Sequence, residues 1–150
     1  MPQRGAIVNF ASVNSVMSGA ATGAYTASKH AVHGLTKTVS EASLFRKAVY
    51  QVDELEAALE VRTEHIRVNC VSPGWLWTDL VSQGLEPSQA PEPLRAFWAG
   101  VEDRQGRKAF AEEIGDSVVM LCSPKLSLVN GHNLMCDKLV VISPSEQAER

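Results

Sequence analysis

Short apolar runs alternate along the chain with stretches of helical period, and the two patterns sort it into elements. AIVNFA, Ala6 to Ala11, is apolar with two β-branched positions and predicts a buried strand just after Arg4-Gly5. SVNSVMSGAATG, Ser12 to Gly23, is rich in Ser, Gly and Ala, which is loop chemistry, and Thr22 is placed to cap a helix beginning near Ala24. On a helical wheel Ala27, Ala31, Val32, Leu35 and Val39 form one broad apolar face. Thr26, His30, His33 and Lys37 lie opposite, and Tyr25 and Lys29 stand together on the border. IRVNCV, Ile66 to Val71, predicts a second strand, stopped by Ser72-Pro73-Gly74. A helix over about Ala111 to Cys122 turns Ile114, Val118 and Leu121 inward, with Pro124 beyond its end. HNLMCD, His132 to Asp137, follows the turn Val129-Asn130-Gly131 and predicts a last strand, ahead of a polar tail, SPSEQAER.

Strand, helix, strand, helix, strand is the order of an α/β fold with parallel strands. The tract PSQAPEPLRAFWAGVEDRQG, Pro87 to Gly106, carries Phe97 and Trp98 among loop-like neighbours; it reads either as a lid over a site or as an irregular connection. Between Lys37 and Arg67, Val52, Leu55 and Leu59 are helically spaced with Glu54, Glu56 and Glu60 opposite, which reads either as an extra amphipathic piece or as an untrimmed gene-model segment.

Composition narrows the function. The chain has 150 residues, 45% hydrophobic and 21% charged, the profile of one ordinary globular domain. A net charge of −3 with scattered Lys and Arg gives no footprint for a polyanion, so neither nucleic acid nor an anionic membrane is expected as a partner. No apolar run approaches the length of a membrane span, and no leader pattern opens the chain. The three cysteines, Cys70, Cys122 and Cys136, lie in apolar runs without CxxC spacing and read as reduced thiols of a cytoplasmic protein. No His, Cys or carboxylate pair has metal-ligand spacing, so no metal is expected.

The chemistry concentrates in GAYTASKHAVHGL, Gly23 to Leu35. Tyr25 and Lys29, four apart, project from the same side of a helix. A free tyrosine, with a pKa of about 10, is a poor base at neutral pH, and lowering it by one pH unit takes about 1.4 kcal/mol. A lysine charge about 4 Å away at an effective dielectric of about 20 offers about 4 kcal/mol. That would make Tyr25 a proton donor and acceptor near neutrality, helped by the helix N-terminus. The same pair also fits an interfacial aromatic beside a solvated amine. Two features favour chemistry: Ser12 stands where the first strand ends, and Pro73-Gly74 where the second ends, and ligands of open α/β sheets bind outside the carboxyl ends of their strands. The other polar residues have blander readings. Ser15 and Ser18 read as loop hydroxyls, Asn9 as a backbone partner near the strand end, and His30 and His33 as solvated helix positions. Trp75 and Trp77 flank the pocket, where packing is the commoner role of tryptophan.

With those residues in place, the chain resembles the short-chain dehydrogenase/reductase family. The family's strand, serine and thirteen-residue step to YxxxK match IVNFAS, Ser12 to Tyr25, and YTASK ending at Lys29. Its strand, proline-glycine turn and threonine match IRVNCVSPGWLWT ending at Thr78, and its last helix and strand match AEEIGDSVVMLCS and NGHNLMCD. The resemblance implies the second half only of a Rossmann-like, doubly wound parallel sheet. It also implies NAD or NADP as cofactor, a small-molecule alcohol or carbonyl as substrate, and a homo-oligomeric parent. Ser12 would hydrogen-bond the reacting oxygen and Tyr25 would pass the proton. Lys29 would bind the nicotinamide ribose and lower the tyrosine pKa. Pro73, Gly74, Leu76 and Thr78 would line the nicotinamide pocket, with Tyr25 and Lys29 also touching the cofactor.

Residues 1–150 depart from the family in three ways. No GxGxxG turn occurs, nor do the NAG segment and the active-site asparagine of the preceding helix. An insertion lies around 43–64. Lys138 and Leu139 follow Asp137 where the family has glycines. Two readings are carried forward. One is the catalytic portion of a short-chain oxidoreductase, inactive as an isolated fragment. The other is a truncated, non-catalytic interaction fragment that pairs with full-length relatives.

Overall fold

The computed structural model describes residues 5–19, 21–45, 66–78, 82 and 85–138. The strands are β1 (Gly5–Phe10), β2 (Ile66–Pro73) and β3 (Asn133–Cys136), and the helices are α1 (Gly23–Phe45), α2 (Glu92–Gln105) and α3 (Ala111–Cys122). The three strands form one parallel sheet in the order β1-β2-β3, so the fold is α/β as the element order predicts. Gly5 pairs with Ile66 and Phe10 with Val71, while Cys70 pairs with Asn133 and Pro73 with Cys136. The amphipathic piece over 52–60 lies outside the described residues.

β2 is the central strand and is buried from Arg67 to Ser72. Its alternate residues face different helices. Val71 packs with Ile114 and Leu121 of α3, while on the opposite face the Thr36 hydroxyl of α1 lies next to Cys70. Polar side chains on this doubly covered strand must find partners inside the protein. Arg67 donates to the carbonyls of Leu121 (2.8 Å), Ser123 (3.2 Å) and Val129 (3.0 Å), the first of these in the last turn of α3. Asn69, fully buried, donates to Val129 O (2.9 Å) and accepts from His132 N (2.9 Å). The loop from α3 to β3 is thereby fastened along β2.

Several elements differ from the sequence expectation, each for a local reason. β2 continues through Pro73, because Gly74 N bonds Cys136 O at 3.0 Å on the β3 side. The N–H that proline lacks would point to the β1 side, where β1 has already ended at Phe10. The Pro-rich tract is helical: Pro91 and Pro93 stand at the entry of α2, where missing N–H groups cost nothing, and Gly106 closes it at φ 70°. The face of α1 is rotated. Thr36 is fully buried and Thr26, Lys29 and His33 are half-buried, whereas Ala27, Ala31 and Leu35 are exposed. The polar face turns inward because the sheet and loop offer it hydrogen bonds, such as Asn9 Nδ2 to Thr36 Oγ1 at 3.0 Å.

One buried ring of hydrogen bonds joins three elements. Ser72 donates to Asn133 Oδ1 (2.6 Å), so Ser15 must donate to Ser72 (3.0 Å) and accept from Asn133 Nδ2 (3.1 Å). Every member gives one hydrogen and takes one, an arrangement in which each bond polarises the next. Ser15 sits in the turn after Ser12, Ser72 precedes the Pro73-Gly74 turn and Asn133 opens β3, so the ring ties both site-bearing loops to the sheet.

At the start of α3, Glu113 accepts from Phe110 N (2.9 Å) and pairs with Arg107. The Arg107 guanidinium and the Phe110 N–H hold its carboxyl down from an ordinary 4.5 to about 2.

Asn133→Leu should leave the buried Ser15 and Ser72 hydroxyls short of partners and cost about 1–3 kcal/mol. Thermal unfolding should show the loss, and hydrogen exchange should quicken at residues 12–16; unchanged exchange there would disprove the tie. Because the Glu113 carboxyl is depressed in the folded state, its stabilisation is present above pH 4.5 and is lost as pH falls toward 2. Glu113→Gln should therefore flatten the stability profile in that window, as read by acid unfolding.

Candidate active site

A cleft of about 270 Å³ opens at the carboxyl ends of β1 and β2. Its walls are Ala11 to Asn14 from the loop after β1, Thr22 and Tyr25 from the start of α1, and Pro73 to Leu76 with Thr78 from the turn after β2. Six of the residues singled out in the sequence therefore meet in one place: Ser12, Tyr25, Pro73, Gly74, Leu76 and Thr78.

Ser12 is buried and caps a short 3-10 turn, accepting from Asn14 N at 3.2 Å. That bond uses a lone pair and leaves the hydroxyl hydrogen free to donate; among the described residues it has no acceptor. Tyr25 is 42% exposed on the cleft, and its hydroxyl has no hydrogen-bond partner among the described residues. Lys29 lies outside the cleft wall. Its Nζ donates to Phe10 O at 3.0 Å and stands 5.4 Å from the centre of the Tyr25 ring, a cation-π arrangement rather than a contact with the phenolic oxygen. The lysine thus pins the second turn of α1 to the end of β1, beside Ser12.

The loop carrying Ser12 is held to α1 by residues that sequence reasoning missed. Asn14 Nδ2 donates to Thr22 Oγ1 (3.1 Å) and Thr26 Oγ1 (2.8 Å). Thr22 precedes α1 and its carbonyl takes the first helical bond, from Thr26 N, but its hydroxyl donates to Gly19 O (2.8 Å) instead of capping the helix. Ser15 is a member of the buried ring, not a loop hydroxyl. His33 is half-buried, and its Nε2 has no partner among the described residues. The available signal was the inward spacing of Thr22, Thr26, Lys29, His33 and Thr36, which hydropathy alone assigns to solvent.

Gly74 is fixed by a close approach: a Cβ there would stand 2.8 Å from the Asp137 Cα. Beyond it, Trp75 meets Phe97 edge-on with ring centres 5.1 Å apart and Trp98 at 6.2 Å, and Trp77 meets Trp98 at 5.2 Å. Trp98 is buried among these rings, and its Nε1 has no partner among the described residues.

A second cavity, about 320 Å³, lies between the α2–α3 connection and the end of β3; it contains Arg107 and Glu113 and shares no residue with the cleft. Among the described residues no three His, Cys, Asp or Glu side chains are grouped to hold a metal ion, and no helix is long and apolar enough to cross a membrane.

Known proteins match this arrangement. A family model described as short chain dehydrogenase matches residues 1–50, and one described as enoyl-(acyl carrier protein) reductase matches residues 54–138. The junction between them falls within the 43–64 tract. Short-chain dehydrogenase fogB of Aspergillus ruber is 42% identical over 134 residues, covering 89% of this chain and 41% of that protein. (+)-Borneol dehydrogenase 2 of Salvia officinalis is 36% identical over 139 residues, 90% of this chain and 43% of that one. The structure of 4-hydroxyisoleucine dehydrogenase complexed with NADH matches with a TM-score of 0.61 at 26% identity, over 92% of this chain and 47% of that one. The chain spans about two fifths of the length of the curated relatives it matches. Family models that together match most of its residues, and a parallel sheet whose strand ends converge on one cleft, place this chain in the short-chain dehydrogenase/reductase family.

Proposed function

We propose that residues 1–150 form the proton-transfer and nicotinamide-facing portion of an NAD(P)-dependent oxidoreductase, acting between an alcohol and the corresponding carbonyl. The observation that carries this reading is the pair of hydroxyls, Ser12 and Tyr25, on one cleft and without acceptors among the described residues. Both can therefore address a single substrate oxygen. The family and its NADH-bound structural neighbour support the cofactor class.

The cleft suits the planar end of such a cofactor. Val13, Pro73 and Leu76 give apolar walls, Gly74 contributes no side chain, and Tyr25 and Thr78 supply polar edges. When bound, the nicotinamide supplies or accepts the hydride. Ser12 donates a hydrogen bond to the reacting oxygen and holds it near the phenol. Tyr25 gives that oxygen its proton in reduction and takes it in oxidation. Lys29, anchored on Phe10 O, sets the Tyr25 ring from one side and places a positive charge where negative charge develops on the phenol. The Gly-rich phosphate turn is not among these residues, so dinucleotide affinity and the choice between NAD and NADP depend on a complementing half.

The interaction-fragment reading is favoured by the outward apolar face of α1, where Leu35 is 63% exposed, and by Ile7 and Phe10 on β1 at 43% and 55%. Such faces suit pairing with another copy or a full-length relative. We place it second because it leaves the Ser12 and Tyr25 hydroxyls without a purpose.

Calorimetric titration with NADH and NADPH separates the two; binding with a Kd in the micromolar range would exclude a purely interacting role. Complemented in trans with a relative's Gly-rich half, the chain should turn over alcohols. Tyr25→Phe should then lower kcat by about 100-fold or more while cofactor Kd changes by less than about threefold. Undiminished kcat would remove Tyr25 from the chemistry.

A further inference from the structure

The second cavity has no part in the chemistry proposed for the cleft. It stands behind the Pro73-Gly74 turn: a Cβ on Gly74 would meet Asp137 Cα at 2.8 Å and Gln105 Oε1 at 3.3 Å, and both of those residues line the cavity.

Its polar groups are unequally engaged. Glu113 is occupied on both carboxylate oxygens by Arg107 and on one of them also by Phe110 N, and the Ser117 hydroxyl donates to Glu113 O. Gln105 is different. It is only 4% exposed, yet its side-chain amide has no hydrogen-bond partner among the described residues. A buried amide left unpaired is costly, and water or a ligand ordinarily completes it. Its carbonyl oxygen lies toward Gly74, so the two N–H groups remain to donate. Lys138 is the other open donor. Its side chain lies back over Gly106, with Nζ 3.4 Å from where a Cβ there would stand, and it makes no ion pair or hydrogen bond among the described residues. After Arg107 and the Phe110 N–H, the Lys138 charge also helps to hold the Glu113 carboxyl down, so the ammonium acts across the cavity.

Open donors call for an acceptor on the ligand, and the charge of the lining sets how many negative charges it can carry. Among the described residues Arg107 and Lys138 are balanced by Glu113 and Asp137. One negative charge can therefore meet the Lys138 ammonium, whereas a second would be repelled by the two carboxylates. Ala109, Phe110, Ile114 and Met135 give the remaining wall an apolar character, and a volume of about 320 Å³ is at the small end for a ligand pocket.

We propose that this cavity is a second binding site, for a small monocarboxylate with an apolar body, held by Lys138 and Gln105. The site is independent of the oxidoreductase reading and adjoins the cleft only through the packing behind Gly74.

Benzoate is the probe, with benzamide as its neutral counterpart and phenyl phosphate as a dianion at about pH 8. The full isotope-labelled chain would be titrated with each and followed by NMR at the Gln105 side-chain amide and the Lys138 backbone amide. Benzoate should shift both signals saturably, with a Kd of about 1 mM or lower and at least about tenfold below those of benzamide and phenyl phosphate. Lys138 is exposed, so Lys138→Met should fold as the unaltered chain does and raise the benzoate Kd by about fivefold or more. Gln105→Leu, which keeps the volume and removes the amide, should weaken benzoate to a similar degree, about fivefold. Shifts that grow linearly without saturating, shifts confined to Ser12 and Tyr25 in the cleft, equal or tighter binding of benzamide or phenyl phosphate, or an unchanged Kd in Lys138→Met would overturn the proposal. If Gln105→Leu fails to fold, Lys138→Met and the comparison of the three probes decide it. None of these signals involves a nicotinamide or turnover, so their failure leaves the oxidoreductase reading to its own calorimetric and Tyr25→Phe tests.

Discussion

The fold depends on a central strand that is buried on both faces and yet half polar. A parallel strand in that position ordinarily carries a run of Val, Ile and Leu. β2 instead places Arg67, Asn69 and Ser72 among Val68, Cys70 and Val71, all of them buried. Burying such groups unpaired would cost more than the apolar neighbours return, so each must be satisfied by a fixed partner. Those partners are main-chain carbonyls in the last turn of α3 and after it, the His132 N–H, and the side chains of Ser15 and Asn133. The polar side chains of one strand thus dictate where three loops run.

That constraint reaches the cleft through short paths. Ser15 is three residues from Ser12, and Ser72 is next to Pro73, so the hydrogen-bonded ring that satisfies Ser72 also sets the distance between the two loops facing each other across the site. Lys29 performs a similar service on the other side, joining α1 to the end of β1 through Phe10 O. Around the cleft Asn14, Thr22 and Lys29 are engaged, while the Ser12 hydroxyl hydrogen and the Tyr25 hydroxyl have no partner among the described residues. In the proposed function, a fixed surround of this kind is what would hold the two hydroxyls in place for a bound oxygen.

Much of this was legible beforehand. The β-branched run of β1, the 3.6-residue period of α3 and the Gly131 turn before β3 are local signals, and the structure has them close to where hydropathy puts them. The family resemblance was legible for the same reason, since it rests on fixed spacings along the chain. The misreadings share a different cause. Prolines 91 and 93 were read as loop markers when they open α2. Thr26 and His33 of α1 were assigned to the face away from the core, although both are half-buried and Thr26 accepts from Asn14. Ser15 was taken for a loop hydroxyl. In each case hydropathy scored a polar residue as though water were its only possible partner.

The sequence by itself determined the order β1, α1, β2, α3, β3 and the parallel α/β class, and it nominated the candidate residues of the site, because these follow from period, punctuation and spacing within short windows. Only the tertiary structure decided which face of α1 turns inward, that Lys29 bonds Phe10 O beside the Tyr25 ring, and that Trp75 on the cleft wall packs edge-on against Phe97 of α2. Those outcomes depend on partners tens of residues away. A hydrogen bond between distant polar groups leaves no periodic trace in the chain, yet once formed in the interior it outweighs the hydropathy of the residues that make it.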